Sequence, residues 1–197
     1  ILIGPFRRQL WQVFVLMTGL WLFTQMDVPV FTWMLRGMPD IEASTVPLVM
    51  LIATLASAAA MFACGVLTQR IGRRRFFVVF GGVALCAAPL CFAWAMSTQG
   101  AALIAGATAL QLASVSAYGP VAAYLAERFP AAVRASGYGV GYSLSIVIPA
   151  LFPFWLLPLQ GLCGAVGAVM MVLAVGAVLL IIGALLGPET AVDEPLT

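Results

Sequence analysis

Asp27 is the one ionisable residue set well inside a long apolar run of this chain, Trp11 to Leu35. A carboxylate in such surroundings is a functional candidate by default, and the chemistry it offers is proton binding. The chain has no histidine, so the usual near-neutral proton switch is missing and any coupling to pH rests on a carboxylate. At ~1.5 Å per residue, Asp27 lies about 24 Å along a helix that starts at Trp11. Pro29 removes an amide donor and frees the carbonyl of Gln25, so the helix is expected to kink or unwind there. Interrupted helices inside the membrane are where transport sites form. A second reading stays open, in which Asp27 sits in a wetted outer mouth and keeps it polar. Arg36, nine residues on, faces the opposite side of a helix and is not expected to pair with it.

A second polar group is Gln111, Ser114 and Tyr118, spaced i, i+3, i+7, which a helix gathers within about 60° of arc. An amide, a hydroxyl and a phenol on one face suit a polar organic solute; alternatively they hydrogen-bond neighbouring helices as packing. Gln25 joins Asp27 as a candidate for the same pathway, and Trp21 and Trp33 are weaker ones. Gly137, Gly139 and Gly141, and likewise Gly161, Gly164 and Gly167, are expected to let helices approach closely. No strand precedes the first set, which argues against a dinucleotide loop.

These residues need a membrane around them. The chain is 63% hydrophobic with only nine basic and seven acidic residues in 197, and its mean hydropathy is +1.11. A soluble domain built this way would lack the polar surface to cover itself. The net charge of +2 and the absence of a basic stripe with interleaved aromatics exclude nucleic acid as a partner. Cys64, Cys86, Cys91 and Cys163 lie in apolar runs without metal-ligand spacing and read as small buried hydrophobes, not disulfides. No metal or cofactor is expected. Without histidine, a G-x-S-x-G or a second membrane carboxylate, no Ser-His pair, zinc site or acid dyad can be assembled. An enzyme is therefore not expected.

A crossing takes about 20 apolar residues, and six such runs are present, approximately 11–35, 46–68, 76–96, 100–126, 135–158 and 161–186. Pro158 to Gly161 reads as the turn before the last. With the amino terminus in the cytoplasm, Arg7, Arg8, Arg70, Arg73, Arg74, Arg75, Arg128 and Arg134 fall inside, and only Arg36 falls outside. The positive-inside rule favours that orientation. Both termini are then cytoplasmic, with 187–197 as an acidic tail.

Three motifs carry a resemblance. Gly65-x-x-x-Gln69-Arg70-x-Gly72-Arg73-Arg74 resembles the major facilitator loop G-x-x-x-D-R/K-x-G-R-R/K, and it stands between the second and third runs as in that family. Glu127-Arg-Phe-Pro130 through Arg134 to Gly137 resembles the loop after the fourth helix of a half-transporter. Pro188-Glu189-Thr190 is similar to the closing motif of sugar-porter-like members, and Tyr124 to Tyr142 look most like the metabolite:proton symporters. The resemblance implies an all-α polytopic membrane protein whose six helices form one half of a major facilitator bundle, a 3+3 inverted repeat. It further implies the carboxyl-terminal half, with residues 1–10 ending a central linker and the amino-terminal half as a missing partner. The chain, which opens on Ile1, is expected to be part of a longer protein.

Gln69 departs from the family pattern, which has an acid there, so a charge able to cap a helix or pair with arginine is replaced by an amide. Gln69, Arg70, Gly72, Arg73, Arg74, Glu127 and Arg134 are the candidate cytoplasmic gate, with Glu127 expected near the arginines. Charge anchoring alone also accounts for the arginines. The expected function is alternating-access transport of a small polar organic solute, such as an organic acid or sugar, coupled to protons, in a plasma or bacterial inner membrane. The alternative is a non-transporting six-helix assembly partner or sensor.

Overall fold

The computed structural model describes residues 6–190. The expected linker residues 1–5 and tail residues 191–197 lie outside the described residues. All elements among the described residues are helical. In chain order they are α1 (Arg7–Gln25), a π-helical turn (Met26–Val30), α2 (Phe31–Arg36), α3 (Thr45–Ile71) and α4 (Arg73–Met96). There follow α5 (Gly100–Ser114), a 3-10 turn (Val115–Tyr118), α6 (Val121–Arg128), a second 3-10 turn (Ala131–Val133), α7 (Arg134–Leu144), α8 (Val147–Ala150) and α9 (Phe152–Leu185).

Five stretches are long and apolar enough to cross a membrane: Arg7–Arg36, Thr45–Ile71, Arg73–Met96, Gly100–Arg128 and Phe152–Leu185. Large apolar side chains such as Leu51, Phe62, Val83, Leu90 and Phe154 face outward, a surface that lipid covers and water does not tolerate. At ~1.5 Å per residue α9 is about 51 Å long, well beyond one crossing. Gly164 divides it, with φ 76° and ψ 165°. Trp155 and Leu159 on one arm line the same cavity as Met171 and Val175 on the other, so the chain folds back at Gly164. The sequence places this reversal at Pro158–Gly161; Pro158 instead lies within the helix. The reversal needs a positive φ, which glycine adopts without the cost a Cβ brings.

The core runs between α9 and the helices it packs on, α1 and α4, with α5 seated on α3 and α4. Leu16, Leu20, Phe23, Phe77, Phe92, Leu173 and Leu180 are fully buried there. Glycines set the closest approach. A Cβ on Gly19 would come within 2.5 Å of the Gly176 carbonyl oxygen and 2.8 Å of the Leu180 nitrogen, and one on Gly183 would strike the backbone of Leu16. Gly137 and Gly141 also pack closely, against Phe129 and Val13, whereas Gly139, Gly161 and Gly164 face open space. Close packing on α9 thus falls to Gly176 and Gly183, not to the expected Gly161–Gly167 series. All four cysteines are free, and Cys86 and Cys163 are exposed on the outer surface instead of buried.

Candidate functional site

The interruption expected at Pro29 is a π-helical turn containing Asp27. A wider turn absorbs the proline that a regular helix cannot hydrogen-bond. It swings Asp27 inward until none of it is exposed. There Asp27 Oδ2 is hydrogen-bonded to Ser114 Oγ on α5. Ser114 Oγ also reaches the Leu110 carbonyl at 2.7 Å. Asp27 Oδ1 has no partner and is buried. No cation faces this acid among the described residues: Arg73 and Glu127 form the salt bridge found there, and it lies at the end of the bundle.

Gln111 and Ser114 are both buried, but their partners differ. Gln111 Oε1 accepts from Ser57 Oγ on α3 at 3.2 Å, and its Nε2 is buried without a partner. Tyr118 meets α1 instead, where Thr24 Oγ1 bonds its hydroxyl at 3.0 Å. The expected single face does not persist because α5 ends at Ser114 and the 3-10 turn rotates the following residues by a different angle. Gln25 is half-buried at the end of α1.

At the other end of α1 the charged residues converge. Arg73, nearly buried, donates from Nη1 to Thr68 Oγ1 at 2.5 Å and from Nη2 to Glu127 Oε1 at 3.3 Å. Gly72 has φ +91° and separates α3 from α4, a tight joint that suits glycine. The amides of Arg74 and Arg75, unpaired by the helix they begin, donate to Glu189 Oε1 and Oε2 at 2.8 and 3.2 Å. Arg73 N–H donates to the Thr190 carbonyl at 3.2 Å. Gln69 and Arg70 are exposed, and Arg134 Nε donates to the Phe129 carbonyl at 3.3 Å.

Sequence reasoning did not find the role of Glu189. It supplies the negative charge at the α4 amino terminus that Gln69 lacks, and a carboxylate there is stabilised by the helix dipole. Gln12 was also missed. Its Nε2 donates to Tyr124 Oη at 2.8 Å and to the Gly183 carbonyl at 2.7 Å, and its Oε1 accepts from Arg128 Nε at 2.7 Å. A pair of amides after Arg8, Gln9 and Gln12 at the start of the apolar run, was the available signal.

A polytopic helical bundle with a buried acid and one arginine-rich end defines a class of membrane protein, and the comparisons narrow it. Residues 3–153 match the Major Facilitator Superfamily, and the chain belongs to that family. The fold is similar to that of the crystal structure of the human organic anion transporter MFSD10 (TETRAN), with a TM-score of 0.61 and 18% identity. That match covers 94% of this chain and 48% of the MFSD10 chain, so this chain spans about half the length of its structural relative. Among curated proteins no sequence matches it.

Proposed function

We propose that this chain is the carboxyl-terminal half of a secondary transporter that moves a small polar organic solute by alternating access and couples that movement to protons through Asp27. The arginine-rich end is its cytoplasmic gate and the membrane it occupies is a plasma or inner membrane. Family membership supports transport as the activity.

The proton arrangement at Ser114 carries the coupling. A hydroxyl has one proton to donate, yet Ser114 Oγ stands against two acceptors, the Leu110 carbonyl and Asp27 Oδ2. When Asp27 is protonated it donates to Ser114, Ser114 donates to Leu110, and both bonds are made. When Asp27 is ionised, one of them is lost and a charge is left in an apolar site without a cation. Such a state is costly unless the helices move to admit water or a partner. Proton release is thereby tied to conformation.

The test is Asp27→Asn in the complete transporter, reconstituted in proteoliposomes. Asn keeps the size and loses the titration. Proton-driven accumulation should disappear while downhill exchange of solute persists. Accumulation equal to the parent would remove Asp27 from coupling.

A further inference from the structure

Three of the four tyrosines in this chain fall in one patch, and the coupling chemistry uses none of them. Trp21 on α1 meets Tyr118 edge-on, with ring centroids 5.9 Å apart, and meets Tyr142 on α7 in the same manner at 5.2 Å. Tyr142 in turn stacks on Tyr138, one helical turn back, at 5.8 Å and 8°. The result is a continuous wall of four rings. It is held from behind, since Trp21 Nε1 donates to the Tyr142 carbonyl at 3.1 Å and Thr24 bonds Tyr118.

Trp21 stands about 21 Å along α1 from Arg7, and Tyr142 about 12 Å along α7 from Arg134, at ~1.5 Å per residue. Trp21 and Tyr142 lie deeper than an interfacial aromatic belt, and Tyr138, about 6 Å along α7 from Arg134, forms the edge of the wall toward the arginine-rich end. All four rings are half-buried, so each keeps an open part. Among the described residues the tyrosine hydroxyls with a hydrogen-bond partner are those of Tyr118 and Tyr124, which leaves those of Tyr138 and Tyr142 free. Neither hydroxyl is among the buried polar atoms left without a partner, so each is open to a ligand, and a wall meant only for packing is served by phenylalanine, of which the chain has twelve. Phenols placed here are donors awaiting an acceptor.

We infer that this wall is a solute-binding surface for a planar aromatic ring bearing carbonyl or carboxyl oxygens. The ring stacks against Tyr138 and Tyr142, and its oxygens accept from their hydroxyls. Offset and edge-on ring contacts favour an aromatic over a saturated ring of the same size. None of the four side chains is an acid, and Asp27, the acid near Tyr118, is fully buried against Ser114, so no open charge would hold a quaternary ammonium, although the rings alone would attract one. This inference rests on the proposed transport role and deepens it by naming the solute class.

The test uses the full-length transporter in proteoliposomes with three probes: benzoate, cyclohexanecarboxylate and choline. Benzoate should be taken up with about three- to tenfold higher apparent affinity than cyclohexanecarboxylate. Tyr142→Leu should erase that preference. Tyr138→Phe, which keeps the ring and is the variant expected to fold unchanged, should weaken both carboxylates to a similar degree and leave the preference intact. Equal affinity for the two carboxylates, a preference that survives Tyr142→Leu, or selection of choline would overturn the inference while leaving transport itself standing. Absence of uptake of these probes and of a wider solute panel would overturn the transport reading and this inference together.

Discussion

The guanidinium of Arg73 lies 3.3 Å from the carboxylate of Glu127, which joins the start of α4 to the end of α6. The same guanidinium holds Thr68 at the end of α3. One side chain thus ties three helix ends together. Arg73→Lys offers one compact ammonium in place of a planar fork and cannot satisfy both partners in this geometry. The expected loss is on the order of 1–3 kcal/mol, read as a lower midpoint of thermal unfolding in detergent. Glu127→Gln should cost less, because Glu127 is partly open to water and Thr68 still pairs with Arg73. An Arg73→Lys protein as stable as the parent would show that the three-way tie contributes nothing.

Glu189 receives the first amides of α4 through both carboxylate oxygens. Glu189→Ala leaves those amides to water and removes a charge favourable to the helix dipole. A drop on the order of 1–3 °C in unfolding temperature is expected, and the difference from the parent should shrink in high salt, which screens exposed charges. A difference that does not respond to salt would point away from the charge.

Gly19 and Gly176 bring α1 and α9 into backbone contact. Gly19→Ala sets a methyl against a carbonyl oxygen and an amide nitrogen that no rotamer change can move. Overpacking of this kind costs typically ~1–3 kcal/mol. Gly82→Ala, where an added Cβ meets nothing within 4 Å, should be neutral or slightly stabilising, since alanine is the better helix former. Thermal unfolding of the two variants side by side measures the contrast.

Asp40 follows α2, and Ala131 follows α6 at the arginine-rich end; both are exposed. In a background with all four cysteines replaced, Asp40→Cys should react with an impermeant maleimide in intact cells, and Ala131→Cys only after permeabilisation, as the arginine bias requires. Equal labelling of both in intact cells would contradict the proposed orientation.

Much of the membrane architecture is written in local composition. Apolar runs, the arginine cluster at Arg70 to Arg75 and Pro29 each act through properties a residue carries wherever it is placed: transfer energy, charge and a missing amide. The helical spans and the distorted first helix followed from these, while the family followed from the resemblance of three motifs. The partners did not. Asp27 finding Ser114, Glu189 replacing the acid absent at Gln69, and Gln12 joining Tyr124 to Arg128 all depend on helices distant in sequence meeting at particular depths and rotations. A 3-10 turn after Ser114 was enough to part Tyr118 from Gln111, and the positive φ at Gly164, not a proline, decided where the last helices reverse. Sequence determined which residues enter the membrane; only the tertiary structure decided which of them touch, because contact is set by packing between helices and not by spacing within one.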